Sequence, residues 1–230
     1  MPISLTSGLG ASLFPAQAAS LQAQALVSAA QHQDLMMELR RGTILYDIQD
    51  RPEAKMPRLV TLWSIPVPME RAADAMRDVD HWADWMPRFT SSRRLPSGQT
   101  GSYFQEAKMK AAGLTIHYRI LVHERQLDLG LQLYWGLDET GFHKDRFAMG
   151  LAINNGSCAF YPLSENETLA VYTIHTQVTP LLPGTKGKIT NATIEELPQF
   201  PASLASRCVN PQWSSRMPPL FRPFSMQKAG

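Results

Sequence analysis

Only two cysteines, Cys158 and Cys208, occur among 230 residues. They are too few for a disulfide-stapled scaffold, and neither has a second cysteine or a histidine at metal-ligand spacing. No metal or other cofactor is expected. A single bridge between them is one reading if the chain meets an oxidising compartment, two buried thiols the other, and only geometry decides. Charge of one sign is lacking too: 22 basic residues stand against 20 acidic ones, interspersed, for a net charge of +2. Such a surface offers a polyanion no footprint, so nucleic acid is not expected as a partner. No apolar run is long enough to cross a bilayer as a helix. The chain also lacks a G-x-S-x-G turn, a phosphate loop and a G-x-G-x-x-G after a strand, which leaves hydrolase, kinase and dinucleotide readings without support.

What is present is a core-forming composition, 44% hydrophobic and 18% charged, as expected of a globular domain with a sizeable interior. Residues 3–14 are weakly apolar, and Ala16-Gln17-Ala18 matches a small-residue signal cleavage site, yet no Lys or Arg precedes it. Two readings stay open: the back half of an export signal, which implies a periplasmic or secreted protein, and an Ala/Ser-rich leader on a cytoplasmic one. The distance between apolar stretch and cleavage site favours the first.

Periodicity divides the chain into three parts: a leader and helix over 1–57, a main domain over 58–210, and a tail over 211–230. Leu21, Leu26, Leu35, Met36 and Leu39 recur at helical spacing up to Gly42, predicting a helix over 19–41 that packs outside the main domain, and 43–48 alternates like a short strand. Residues 58–65 form a strand apolar on both faces. A helix follows Pro66 and Pro68, with Asp80 placed to cap a second short helix that Pro87 ends. Strands are then expected near 89–95, 102–111, 114–125, 128–136, 145–153, 157–163 and 168–177, with Asn154-Asn155-Gly156 among the turn signals. A final helix over 189–209 carries Ile194, Leu197, Phe200, Leu204 and Cys208 on one stripe, bent by Pro198 and Pro201. The tail mixes Trp213, Phe221 and Phe224 with Arg216, Arg222 and Lys228. It reads as a surface-draped segment, or as a peripheral contact with an acidic membrane.

Three segments together resemble the START and polyketide-cyclase superfamily, SRPBCC, whose fold is the helix-grip. They are Ile65-Pro66-Val67-Pro68 with Ala72 to Trp85; Gly156 to Pro162 with Thr168 to Tyr172; and Pro180 to Gly184 through Asn191 to Pro198. The resemblance covers about 58–210 and implies an α+β fold: a curved antiparallel sheet of about seven strands, two short helices, and a long C-terminal helix over a cavity. It implies no catalytic signature.

Within this frame Leu127, Leu129, Leu131, Leu133 and Trp135 alternate through one strand and give it a continuous apolar face. The expected cavity lining is Ile116, Tyr118, Ile120, Leu129, Leu131, Leu133, Trp135, Met149, Phe160, Tyr172, Ile194 and Leu197. His117 and His123 share the polar face of their strand and are expected in water, whereas His175 lies in a strand apolar on both faces and is the histidine expected to reach the interior. Glu106 and Glu124 are the strand carboxylates that could face inward. The functional expectation is binding or transport of a small hydrophobic molecule, a lipid, sterol or polyketide-like compound. One alternative is a cyclase or dehydratase using Tyr118, His175 or Glu106 as acid or base. Another is a non-catalytic interaction module that uses the leader and the tail.

Overall fold

Alternating apolar residues have to be buried on one side of a sheet, and here the alternating segments all join the same one. In the computed structural model, which describes residues 33–49, 56–111, 113–179 and 199–210, the strands are β1 (Leu45–Gln49), β2 (Arg58–Ile65), β3 (Phe89–Pro96), β4 (Ser102–Ala111), β5 (Leu114–Leu127), β6 (Gly130–Leu137), β7 (Gly150–Ser164) and β8 (Glu167–Thr179). The helices are α1 (Gln33–Arg40), α2 (Met69–Arg77), α3 (Trp82–Trp85) and α4 (Gln199–Val209). All strand pairs are antiparallel, in the order β1-β2-β8-β7-β6-β5-β4-β3, so β1 and β3 are separate edges of an open sheet.

Eight strands stand where about seven were expected. β1 extends the edge by pairing with β2, and the strands expected at 145–153 and 157–163 are one strand, β7. Asn154-Asn155-Gly156 is not a turn. It runs extended along β8, and Gly156 also pairs with Trp135 of β6, after a register shift between Leu151 and Ile153.

The two faces have different covers. The inner face carries Trp63, Ile65, Tyr118, Leu133, Trp135, Phe160 and Ala170, packed under Ala72, Ala73, Ala75 and Met76 of α2 and Leu204 and Cys208 of α4. The run of alanines lets α2 approach closely. On the outer face Val60, Leu62, Ala159, Tyr161, Leu169 and Val171 are covered by Met36 and Leu39 of α1. Central strands buried on both sides explain why β2 and the first half of β8 read as nearly continuous apolar runs.

Polar contacts tie the helices to one another and to the sheet. Arg71 of α2 donates to the carbonyls of Cys208 (2.5 Å) and Asn210 (3.3 Å) at the end of α4, where helix carbonyls lack partners of their own. Arg207 of α4 pairs with Asp78 at 2.9 Å. Asp80 does not cap α3 as expected: its Oδ1 accepts the backbone N–H of Arg94 in β3 at 2.6 Å. No side-chain cap bond forms at either short helix.

α1 is held through Glu167, which accepts Arg40 Nε at 3.1 Å on each oxygen and Ser64 Oγ at 3.0 Å. The Arg40 hydrogen bond keeps the Glu167 carboxyl below the usual carboxylate range. A carboxyl lowered by folding stabilises the fold above its unfolded pKa, and that stability is lost as pH falls through the folded value. Acidification below the ordinary carboxylate range should therefore loosen α1, and Glu167→Gln should loosen it at neutral pH. Faster amide exchange at Leu39 to Arg41, with the rest of the sheet unchanged, is the expected readout.

One line through the sheet is built differently. β6 pairs with β5 only over Ile120–Leu127 and ends at Leu137, leaving the first part of β5 without a neighbouring strand on that side. The loop 138–149 fills the gap. Asp138 N donates to Arg119 O (3.1 Å), His117 N to Met149 O (2.9 Å) and Met149 N to Thr115 O (2.8 Å), with a single parallel bridge between Ile116 and Met149.

Candidate functional site

The inner face is the candidate site. Ile116, Tyr118, Ile120, Leu131, Leu133, Trp135 and Phe160 are all buried there. Leu129 is not: it occupies the two-residue turn between β5 and β6 and is 70% exposed. The alternation that predicted it inward runs correctly as far as Leu131 and fails where the hairpin turns. Ile194 and Leu197 lie outside the described residues, as does the Pro180–Gly184 segment.

Tyr172 and Ile174 sit in β8, a strand flanked on both sides, between Thr61 and Cys158 and between Leu59 and Gly156 respectively. Both nevertheless keep accessible surface, as do Leu137, Met149 and Phe200 around the same inner face. Partly exposed apolar side chains on a face otherwise covered by helices make this the candidate recess. Its aromatic wall is contiguous, with the Tyr172 ring 4.2 Å from Phe200 and 5.9 Å from Trp135, and Trp63 edge-on to Phe200 at 5.9 Å. Gly156 makes room for the Trp135 indole: a Cβ there would lie 2.4 Å from Trp135 Cζ2 and 2.6 Å from the Thr173 carbonyl oxygen.

A few polar groups interrupt this wall. Trp135 Nε1 donates to Asn154 Oδ1 at 3.4 Å, and the Tyr118 hydroxyl is hydrogen-bonded to the same amide. Burial pushes the Tyr118 phenol above its ordinary range, with the Asn154 bond pulling weakly the other way. Burial raises Tyr172 further, and Tyr118 and Cys158 beside it add to the effect. Both phenols are therefore donors rather than bases near neutral pH. Thr61 Oγ1 and Trp63 Nε1 are buried next to Tyr172 and Phe200 with no hydrogen-bond partner among the described residues. Cys158 and Cys208 are free thiols. Burial raises Cys158 well above its ordinary value and pushes Cys208 up to about 12.

The other expected acid–base groups lie elsewhere. Glu106 alternates with the inward Gln105 and Ala107 and projects from the outer face, where it meets Arg93 Nη2 at 2.8 Å and His117 Nε2 at 3.3 Å. Burial opposes its ionisation, but the Arg93 and His117 hydrogen bonds outweigh that and hold it below the usual carboxylate range. His175 follows Leu169, Val171 and Thr173 onto the outer face, and Ile174 and Tyr172 take the inner one. A strand apolar on both sides carries no sign of which parity points inward. Glu124 does face inward but is bound by Arg77 of α2 at 2.6 and 2.9 Å.

His117 lies on the outer face as expected, yet it is buried rather than in water. Its cover is the loop 138–149: Asp145 N donates to His117 Nδ1 at 3.0 Å, and Phe142 packs edge-on at 4.8 Å. A backbone donor on Nδ1 leaves the proton on Nε2, facing Glu106. His123 stays on the outer face, stacked on Tyr134 at 5.0 Å.

Neither a family model nor a curated protein matches the chain in sequence. Solved structures match in fold. The STAR-related lipid transfer protein from Xanthomonas axonopodis superposes with a TM-score of 0.65 at 11% identity, over 73% of this chain and 94% of that one. Human STARD10 gives 0.67 at 11% identity, over 78% and 75%, and human StAR-related lipid transfer protein 5 gives 0.63 at 14%, over 83% and 96%. The fold is the START-like helix-grip. The helices that cover the inner face of the sheet are α2, α3 and α4, and Phe200 of α4 packs on Tyr172. The residues that mattered beyond those expected are Asn154, Gly156, Thr61 and Trp63. Only the Asn-Gly pair stood out in the sequence, as a turn it does not make.

Proposed function

We propose that this chain binds a small hydrophobic molecule against the inner face of its sheet and acts as a carrier for it. The observation that carries the reading is the recess: Tyr172, Ile174, Leu137, Met149 and Phe200 remain accessible beneath the helices. Apolar surface left accessible in an interior gains by accepting an apolar ligand. The buried hydroxyl and indole groups of Tyr172, Thr61 and Trp63 would orient a ligand with one or two polar atoms on a mainly apolar body, as in a lipid, sterol or polyketide-like compound. Two of the superposed proteins are named for lipid transfer, which agrees with this reading.

The cyclase or dehydratase alternative would have to rest on Tyr118, because Glu106 and His175 point away from the recess. No observation favours it over binding. The interaction-module alternative rests on the leader and tail, which lie largely outside the described residues.

Native mass spectrometry of the purified chain should show a bound small molecule that organic extraction removes, and the stripped protein should bind hydrophobic fluorescent probes. Ile174→Trp, which fills the recess from its floor, should lower probe affinity about tenfold or more, the cost of displacing one well-packed apolar group. Tyr172→Phe should weaken binding of a ligand with a polar end by several-fold, the net worth of one hydrogen bond. A clean apo mass together with equal probe binding by the wild type and Ile174→Trp would remove the proposal.

A further inference from the structure

Buried polar atoms without a partner fall at two separate places on the inner face and its cover. One is already described: Thr61 Oγ1 and Trp63 Nε1, beside Tyr172 and Phe200. The other is in α3, where the indole nitrogens of Trp82 and Trp85 are buried with no hydrogen-bond partner among the described residues. Trp82 is 7% exposed, and its ring lies edge-on to Trp85 at 6.2 Å and to Phe89 at 5.4 Å. Phe89, the first residue of β3, stands opposite Met109 of β4. The indole pair therefore lies over the β3–β4 side of the sheet, whereas Thr61 and Trp63 belong to β2, six strands away in the order β2-β8-β7-β6-β5-β4-β3. Unpaired buried donors are costly and rare in folded proteins. A pair at each side of one face asks for partners from outside the chain.

Partly accessible apolar side chains run between the two places. Ile174 on β8, Leu137 on β6, Met149 beside β5, Met109 on β4 and Phe89 on β3 all pack against the inner core without being fully covered. They lie toward the same end of the sheet, where β4, β6 and β8 finish and β3, β5 and β7 begin. Successive members are linked by pairing: Leu137 stands opposite Ile120 of β5, and Ile116, on the same face of β5, meets both Met149 and Met109.

We propose that the molecule bound on this face is polar at both ends. One oxygen function is held by Thr61 and Trp63 beside α4, a second by the Trp82 and Trp85 N–H groups of α3, and an apolar chain joins them across the sheet. The inference rests on the carrier reading and narrows its ligand class. An indole nitrogen only donates, so the group at α3 is an acceptor: a carbonyl, ester or ether oxygen fits there, and an ammonium does not.

The full chain, loaded with a hydrophobic fluorescent probe, is titrated with dimethyl hexadecanedioate and dimethyl docosanedioate, each against the methyl monoester of the same chain length. The esters are uncharged and differ in one acceptor group. At least one diester should displace the probe at roughly fivefold lower concentration than its monoester, the net worth of one added hydrogen bond. Trp85→Phe and Trp82→Phe keep an aromatic ring and remove the N–H, and each should shrink that advantage to about twofold or less. Trp85 is only partly buried, so Trp85→Phe should melt with the wild type and carries the test if Trp82→Phe unfolds. Two results would overturn this proposal alone: monoesters that displace the probe as well as both diesters do, or a diester advantage that survives in Trp85→Phe and in folded Trp82→Phe. Absence of probe binding by the wild type would remove the carrier reading, and this one with it.

Discussion

Gly156→Ala should lower the stability of the protein by about 2–3 kcal/mol, near the upper end for a small-to-large change in a packed interior. The new methyl would meet the Thr173 carbonyl oxygen at 2.6 Å and two atoms of the Trp135 indole at 2.4 and 2.7 Å. The indole can turn away, but the carbonyl belongs to the ladder of β8 and cannot move without breaking the sheet. In a domain of this size the loss corresponds to a fall in Tm of roughly 5–10 °C. If the indole turns, it gives up its hydrogen bond to Asn154 and pushes into the recess beside Tyr172. The variant should therefore also lose probe binding and show altered tryptophan fluorescence. Unchanged melting and unchanged binding together would mean that the indole does not lie over Gly156.

Arg77→Ala should cost about 3 kcal/mol, the lower end of the range for removing one partner of a buried ion pair. The Arg77 side chain is 11% exposed and meets Glu124 at 2.6 Å and Asp74 at 2.8 Å, whereas those carboxylates are 28% and 30% exposed and keep part of their hydration. Burial alone would discourage the guanidinium charge, but its hydrogen bonds to Glu124 and Asp74 outweigh that and raise its pKa. It is charged at every pH at which the protein folds. Because Arg77 uses two nitrogens on the two oxygens of Glu124, Arg77→Lys should recover only part of the loss. A double-mutant cycle with Glu124→Gln in chemical denaturation separates the pair from the rest of the arginine's contacts. Near-zero coupling would assign the loss to packing of the arginine stem.

How far the sequence could be read follows from which residues carry a local signal. Alternation located β2, β4, β5 and β8 closely, because each has one face or both buried and the apolar residues report it directly. Parity within those strands was readable only where the faces differ. In β5, Ile116, Tyr118 and Ile120 oppose His117 and Arg119, and their inward direction was legible. In β8 both faces are apolar, and His175 was placed inward when it points outward. Asn154-Gly156 has the composition of a turn, but its glycine serves the close approach of Trp135, a residue about twenty positions earlier in the chain. The burial of His117 likewise depends on Phe142 and Asp145, which approach from a separate loop. Asp80 has the chemistry of a cap and a better-placed donor in Arg94. In each case the missing information was a contact made across the sheet.

The line where the loop 138–149 stands in for a strand has a consequence for how the molecule breathes. Along most of the sheet a strand can leave its neighbour only by breaking a long row of bonds at once. Between β5 and β7 the join rests on the Asp138, His117 and Met149 backbone bonds, with the Arg119 and His117 side chains as fasteners. Under native conditions amide exchange should therefore reach His117 and Met149 before it reaches the paired amides of β7 and β8. That line acts as a seam: the shell can part there for a moment and close again while the rest of the fold stays intact.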